Sequence, residues 1–271
     1  MIKVNGIEIE QNHFPDKTLL VKVDPTRLTT PPLITTPRIV ITWIYESDAE
    51  LFTLICVKRH LEQWFEDNRF ELELPYVPHA RMDRVKKMTD VFTLKYFCEV
   101  INSLNFSKVW TLDVHSNVSL ALLNNVDGER PFYQIDQVLN QLKDEDPIMF
   151  YPDEGAMKRY SDMFVMPYSF GIKKRDWATG KIEGFDLINP ENVKDRNVLI
   201  VDDICSRGGT FYHSAKALKK AGAKNIYLYV SHLEDTVFDG ELIESDLVKK
   251  IFTSAHSIYS TKKSHEKIIL I

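Results

Sequence analysis

The 271 residues, 44% of them apolar and 27% charged, suffice for one large hydrophobic core or two modest ones and exclude a disordered chain. Ten glycines and twelve prolines without a short period exclude a collagen-like or low-complexity chain. A net charge of −5 with both signs interspersed argues against a general binder of nucleic acid or acidic membranes.

Apolar stretches such as Ile39 to Tyr45 are far too short to cross a bilayer, and no basic segment followed by an apolar run stands at the N-terminus. The odd set of Cys56, Cys98 and Cys205 suits free thiols better than a disulfide framework. A soluble, cytoplasmic setting is expected.

Taken along the chain, short β-branched runs alternate with helical periodicity, which predicts an α/β fold with mainly parallel sheets. Ile39 to Tyr45 reads as a buried strand, with Ser47 capping a helix whose inward face includes Leu51, Leu54, Ile55, Leu61 and Phe65. Phe70 to Tyr76 reads as the next strand. A basic loop follows it, in which four of the seven residues from Arg81 to Lys87 are cationic. Thr89 or Asp90 is expected to start a helix with Val91, Leu94, Phe97, Ile101 and Leu104 inward, and Lys108 to Leu112 a further strand.

The chain turns polar after Asn124, so a domain junction is expected between Asn124 and Pro147, giving domains of residues 1–135 and 136–271. In the second half Ile148 to Tyr151, Met163 to Met166, Val198 to Val201 and Ile226 to Val230 read as strands, and Gly209 to Ala221 as a helix. Gly171 to Asn192, rich in charge and with little periodicity, reads as a long loop of the lid kind or a β flag.

The most informative stretch is Asn197-Val-Leu-Ile-Val-Asp-Asp-Ile-Cys-Ser-Arg-Gly-Gly-Thr210. An apolar strand runs into two adjacent carboxylates, and a glycine-containing turn opens a helix. Consecutive backbone N–H groups at such a helix start make a nest for phosphate, while Asp202 and Asp203 suit sugar hydroxyls or hydrated Mg2+. Phosphate beside polyol means a sugar phosphate. The bland alternative is an acidic turn before a glycine-rich helix start.

This stretch resembles the phosphoribosyl-binding motif of the type I phosphoribosyltransferase fold. Further segments agree in order with the ribose-phosphate pyrophosphokinase family: Tyr76-Val-Pro-His-Ala-Arg-Met-Asp-Arg84, Leu112-Asp-Val-His-Ser116, Tyr151-Pro-Asp-Glu-Gly155 and Lys173-Lys-Arg175. The resemblance covers most of the chain and implies two type I phosphoribosyltransferase-like domains. The first is expected on the ATP side and the second on the ribose-phosphate side.

Family membership implies Mg2+-dependent transfer of the β,γ-diphosphoryl group of ATP to the anomeric hydroxyl of a 5-phosphorylated ribose, with release of AMP. The resemblance puts Arg81, Asp83 and Arg84 in the ATP-binding loop. It puts His115 beside the triphosphate and its metal, and makes Asp153 a second metal-linked carboxylate. Lys173 and Arg175 would be the cations of a catalytic lid, and Asp202, Asp203, Ser206, Arg207, Gly208, Gly209 and Thr210 the ribose-phosphate loop. His13-Phe-Pro-Asp-Lys-Thr18 resembles the segment that lends Phe14 and Asp16 to the adenine pocket of a neighbouring subunit, which implies a homo-oligomer.

Two departures from the family pattern stand out, the first bearing on the acceptor and the second on the adenine-pocket segment. Ser206 and Arg207 replace the family's usual Asp-Thr pair, which raises the local charge by about two units and opens the loop to a richer anion than ribose 5-phosphate. ADP-ribose, the acceptor associated with reduced phage-type relatives in NAD resynthesis, is the second candidate. Thr18 stands where the family usually has Glu. Two other classes remain: a salvage phosphoribosyltransferase, which needs no Arg81 loop, and a non-catalytic synthetase-associated protein, which needs no lid cations.

Overall fold

The structure, a computed structural model, describes residues 1–28, 38–65, 69–175, 182–256 and 264–271; for residues 173–175 and 182–185 it describes the backbone alone. Two compact units divide the chain, Met1–Arg130 and Pro131–Ile271.

In chain order the first unit holds β1 (Ile2–Val4), β2 (Ile7–Glu8), β3 (Glu10–His13), β4 (Leu19–Lys22), β5 (Arg38–Trp43), α1 (Ala49–Glu62), β6 (Arg69–Glu73), α2 (Thr93–Ser103), β7 (Lys108–Leu112), α3 (Asn117–Leu122) and β8 (Val126–Glu129). Its main sheet runs β2-β1-β5-β6-β7-β8, and β3 with β4 forms a separate hairpin. Strands β5 to β8 are parallel, while β1 joins β5 antiparallel. In β5 the alternation sends Ile39, Ile41 and Trp43 into the core and leaves the intervening residues more open. Leu54, Val57 and Leu61 of α1 and Leu94, Phe97 and Ile101 of α2 complete that core.

The second unit follows with α4 (Phe132–Gln141), β9 (Ile148–Tyr151), α5 (Glu154–Tyr160), β10 (Tyr168–Arg175), β11 (Ile182–Ile188), β12 (Val198–Cys205), α6 (Gly209–Lys220), β13 (Ile226–Leu233), α7 (Glu241–Glu244), β14 (Lys250–Thr253) and β15 (Ile268–Leu270). The sheet order is β11-β10-β9-β12-β13-β14-β15, and every pairing except β10 with β11 is parallel. Both faces are covered, which explains why β12 and β13 are near-continuous apolar runs. Ile148, Phe150, Val198 and Ile200 pack with Phe211, Ala215 and Leu218 of α6. Met149, Tyr151, Leu199 and Val201 pack on the other side with Ile135 and Val138 of α4 and Ala156 and Tyr160 of α5.

Several local expectations are corrected. The boundary drawn at residue 135 would cut α4, whose Ile135 and Val138 belong to the second unit's core. Ser47 does not cap α1; the Glu50 carboxylate reaches back to accept from the backbone N–H of Glu46 at 2.8 Å, and also takes the indole N–H of Trp43. Thr89 and Asp90 do not start α2, which begins at Thr93, because the Asp90 carboxylate accepts from the N–H groups of Lys86 and Lys87 and closes a turn instead. That leaves Val91 exposed. Met163 to Met166 is no strand: the N–H of Met163 and that of Met166 donate to Tyr160 and Phe164 in turns, and the strand starts only at Tyr168, past Pro167. For the segment from Gly171 to Asn192 the flag reading holds over β10 and β11, which pair antiparallel, whereas residues 176–181 lie outside the described residues.

Candidate functional site

In the second unit the chain goes from β9 through α5 to β10 on one side, and from β12 through α6 to β13 on the other. The C-terminal ends of β9 and β12 therefore border a topological switch point, the crevice where open parallel sheets bind ligands. Asp153 follows β9, and Asp202 and Asp203 lie in the C-terminal half of β12, just before its last residues Ile204 and Cys205.

Asp153 is the N-cap of α5, its Oδ1 accepting from the N–H of Ala156 at 3.0 Å. The Asp pair is split by strand alternation. Asp202, half-buried, accepts the N–H of Asp203 on its Oδ1 at 3.0 Å. Asp203 is buried, and its Oδ2 lies 3.3 Å from Nη1 of Arg159, an α5 residue that the sequence motifs did not single out.

Past Cys205 the loop turns through Gly208, which has a left-handed backbone, φ +75°, and is the N-cap residue of α6. Gly209 and Thr210 form the helix start, whose N–H groups have no partner within the helix. The turn is held from outside: a Cβ on Gly208 would sit 2.7 Å from Leu242, and one on Gly240 would sit 1.9 Å from the carbonyl oxygen of Arg207. Ser206 is half-buried and Arg207 exposed. Arg207, Gly209 and Tyr212 line an open cavity of about 640 Å³ with Asp239, Glu241 and Glu244. Three carboxylates thus share the lining of this cavity with the extra guanidinium, a balance that composition alone did not reveal.

In the first unit Asp83 joins two loops. Its Oδ2 accepts from the Ser116 hydroxyl at 2.9 Å and its Oδ1 from Nε of Arg84 at 3.0 Å. Burial alone would raise this carboxyl; the hydrogen bonds from Ser116 and Arg84 and the nearby charges of Arg84 and His115 outweigh it and hold the group below its ordinary value. Ser116 is also the N-cap of α3, accepting the N–H of Val118. His115, half-buried, sits in the turn between β7 and α3, after Asp113 with its left-handed φ of +44°. Arg81 and Arg84 are exposed.

Phe14 and Asp16 lie in the turn of the β3–β4 hairpin. Phe14 is half-exposed, while Asp16 accepts from both the N–H and the hydroxyl of Thr18, which holds its carboxyl below the usual range. Thr18 therefore acts on Asp16 itself. Lys173 and Arg175 lie on β10, with an irregularity in the pairing between Lys174 and Arg175.

Asp153 offers a carboxylate oxygen of the kind a phosphate-bound Mg2+ takes, whereas the ring nitrogen of His115, in the other unit, suits a hydrogen bond to phosphate or to metal-bound water. Among the described residues no group of three or more His, Cys, Asp or Glu side chains forms a cage. No helix among the described residues is long and apolar enough to cross a membrane.

Residues 158–258 match the phosphoribosyl transferase domain family. The whole chain shares its fold with the crystal structure of phosphoribosylpyrophosphate synthetase from Mycobacterium smegmatis: the TM-score is 0.76 at 16% identity, covering 97% of this chain and 85% of that one. The fold is thus the two-unit α/β architecture of the phosphoribosyltransferase class. Ribose-phosphate pyrophosphokinases resemble it in sequence. That of Saccharolobus solfataricus is 25% identical over 240 residues, covering 86% of this chain and 79% of the relative, and that of Sulfurisphaera tokodaii is 26% identical over 262 residues, covering 94% and 86%. The protein is a homologue of the ribose-phosphate pyrophosphokinases.

Proposed function

We propose that the protein is a diphosphokinase that transfers the β,γ-diphosphoryl group of ATP to the anomeric 1-hydroxyl of a 5-phosphorylated ribose, releasing AMP. The observation that carries the reading is the end of β12 at the switch point: two carboxylates for hydroxyls, then a left-handed Gly208 and a helix start for the 5-phosphate. A phosphoryl transfer of this kind rests on positioning and charge neutralisation. Arg81 and Arg84 are exposed cations suited to the triphosphate, with Asp83 and Ser116 fixing their loop. Lys173 and Arg175 would meet the migrating group from the β10–β11 flag. Mg2+ bound with the nucleotide would neutralise charge on the polyphosphate, with Asp153 as a candidate oxygen ligand and His115 a candidate partner for phosphate or bound water.

Ribose 5-phosphate is the first acceptor, in keeping with the names of the sequence relatives. The cavity beyond Arg207 favours a second, ADP-ribose. Its nucleoside half brings hydroxyls and a base rather than more charge, which suits Tyr212 and the Asp239, Glu241 and Glu244 rim better than a further phosphate would. Incubation with ATP, a magnesium salt and each acceptor in turn, followed by chromatography of AMP, tests both. AMP with one acceptor names it, and no AMP with either ends the diphosphokinase reading. The working assembly is a cytoplasmic homo-oligomer in which Phe14 and Asp16 serve a neighbour's adenine pocket.

A further inference from the structure

Two adjacent carboxylates on one strand face opposite sides of the sheet. Asp202 continues the row of Val198 and Ile200, on the α6 side, and Asp203 the row of Leu199 and Val201, on the α5 side. The neighbours therefore have different surroundings. Asp203 is the buried one, and a carboxylate at that depth stays ionised and fixed only if a cation or several donors compensate it. The compensating cation comes from α5: Nη1 of Arg159, 3.3 Å from Oδ2, on a side chain that is itself mostly buried.

The ion pair also has a particular place in the topology. Helix α5 starts at the Asp153 cap on the β9 side of the switch point, and Arg159, in its last turn, reaches across to β12. One side chain thereby ties the two loop-bearing strands together at the crevice. The pairing ladder of β12 with β13 runs from Val198 to Asp202 and resumes at Ile204, so Asp203 lies where the ladder is interrupted and gains its definition from side chains.

Resting on the acceptor reading above, we propose that Arg159 is a positioning residue for the ribosyl acceptor. It holds Asp203 as an oriented anion and so fixes the stretch of β12 whose Asp202, tied to the backbone N–H of Asp203, meets the ring hydroxyls. Arginine suits this role because its planar fork fixes a carboxylate in direction as well as in charge, and a lysine would supply the charge with less direction.

The test is a set of full-length variants, Arg159→Met, Arg159→Lys and the pair Arg159→Met with Asp203→Asn. Each is read by steady-state AMP release and by calorimetric titration of ribose 5-phosphate, which needs no turnover. Arg159→Met is expected to raise the acceptor KM and Kd by about 10- to 100-fold, with the ATP KM within about twofold of wild type and a smaller change in kcat. Arg159→Lys should recover part of the loss. The double variant, neutral at both positions, should regain the thermal stability that Arg159→Met loses while its acceptor Kd remains weak, so it carries the test if Arg159→Met does not fold. Wild-type acceptor affinity in Arg159→Met or in the double variant, or an equal rise in both KM values, overturns the proposal. If the wild type binds ribose 5-phosphate but releases no AMP, the diphosphokinase reading fails and the titration still decides the role of Arg159.

Discussion

Replacing Gly240 by alanine strikes the acceptor loop from behind. Gly240 has an ordinary extended backbone, φ −117°, so the cost is steric rather than conformational. The new Cβ would lie 1.9 Å from the Arg207 carbonyl oxygen and 2.8 Å from its carbonyl carbon. Non-bonded carbons and oxygens do not approach inside about 3 Å, so one of the two backbones must retreat by about 1 Å. Neither is a soft side-chain tip. Overpacking of this kind costs about 1–3 kcal/mol of stability, and a displacement of about 1 Å in a positioning loop can cost about 100-fold in rate. The assay is AMP release as a function of acceptor and of ATP, with a thermal melt on the same sample. The acceptor kcat/KM should fall by about 100-fold while the ATP KM stays near wild type. An unchanged melt together with unchanged acceptor kinetics would show that the Arg207 turn does not rest on Gly240.

Lys173→Ala should lower turnover by orders of magnitude with ATP affinity nearly intact, and activity that survives it would remove this residue from the lid. Ser116→Ala deletes both a helix cap and the hydroxyl donor to Asp83, so it should cost about 1–2 kcal/mol of stability in a denaturant titration; a midpoint equal to wild type would refute both contacts. Because the folded-state pKa of Asp83 is depressed, its contribution is complete above the ordinary carboxylate value of about 4 and is lost as pH falls below it. The Ser116→Ala penalty should therefore shrink in melts taken below about pH 4, and a penalty that grows there has the wrong sign. Phe14→Ala should raise the ATP KM without changing the acceptor KM, and a wild-type enzyme that is fully active while sedimenting as a monomer would contradict the shared adenine pocket.

Central strands were legible because burial in a parallel sheet concentrates apolar and β-branched residues: Ile148–Tyr151, buried throughout, and the mixed Lys108–Leu112 have the bounds that the pattern predicts. Edges and short elements were not. β1, β2 and β15 are two or three residues long, below the length at which periodicity carries information. Helix starts were misread where a polar side chain had a competing use, as with Asp90 closing a turn and Glu50 reaching back from inside α1. At the site, the loop residues could be read because glycine and aspartate occur together for few other reasons. Arg159 could not: a basic residue in the last turn of a short helix is ordinary, and only the fold brings it against a carboxylate 44 residues later.

One device recurs at three of the candidate positions. β7 ends before His115, and Ser116 then caps α3; β9 ends before Asp153, which caps α5 itself; β12 carries the Asp pair and ends at Cys205, and Gly208 is the N-cap of α6. In each case a strand end and a helix start hold a short turn from both sides. The cap removes freedom from the side chains that meet ligand, so less ordering remains to be done on binding. The three turns differ in what the cap leaves available. Ser116 spends its hydroxyl on Asp83 and Val118 and leaves the chemistry to its neighbour His115. Asp153 divides one carboxylate between the helix and whatever it meets. At Gly208 no side chain caps the helix, so the helix N–H groups themselves would face the anion of the proposed acceptor. That order, from side-chain donor to bare backbone, follows the expected ligands, from a polyphosphate with its metal to a compact 5-phosphate that only a glycine turn lets approach the main chain.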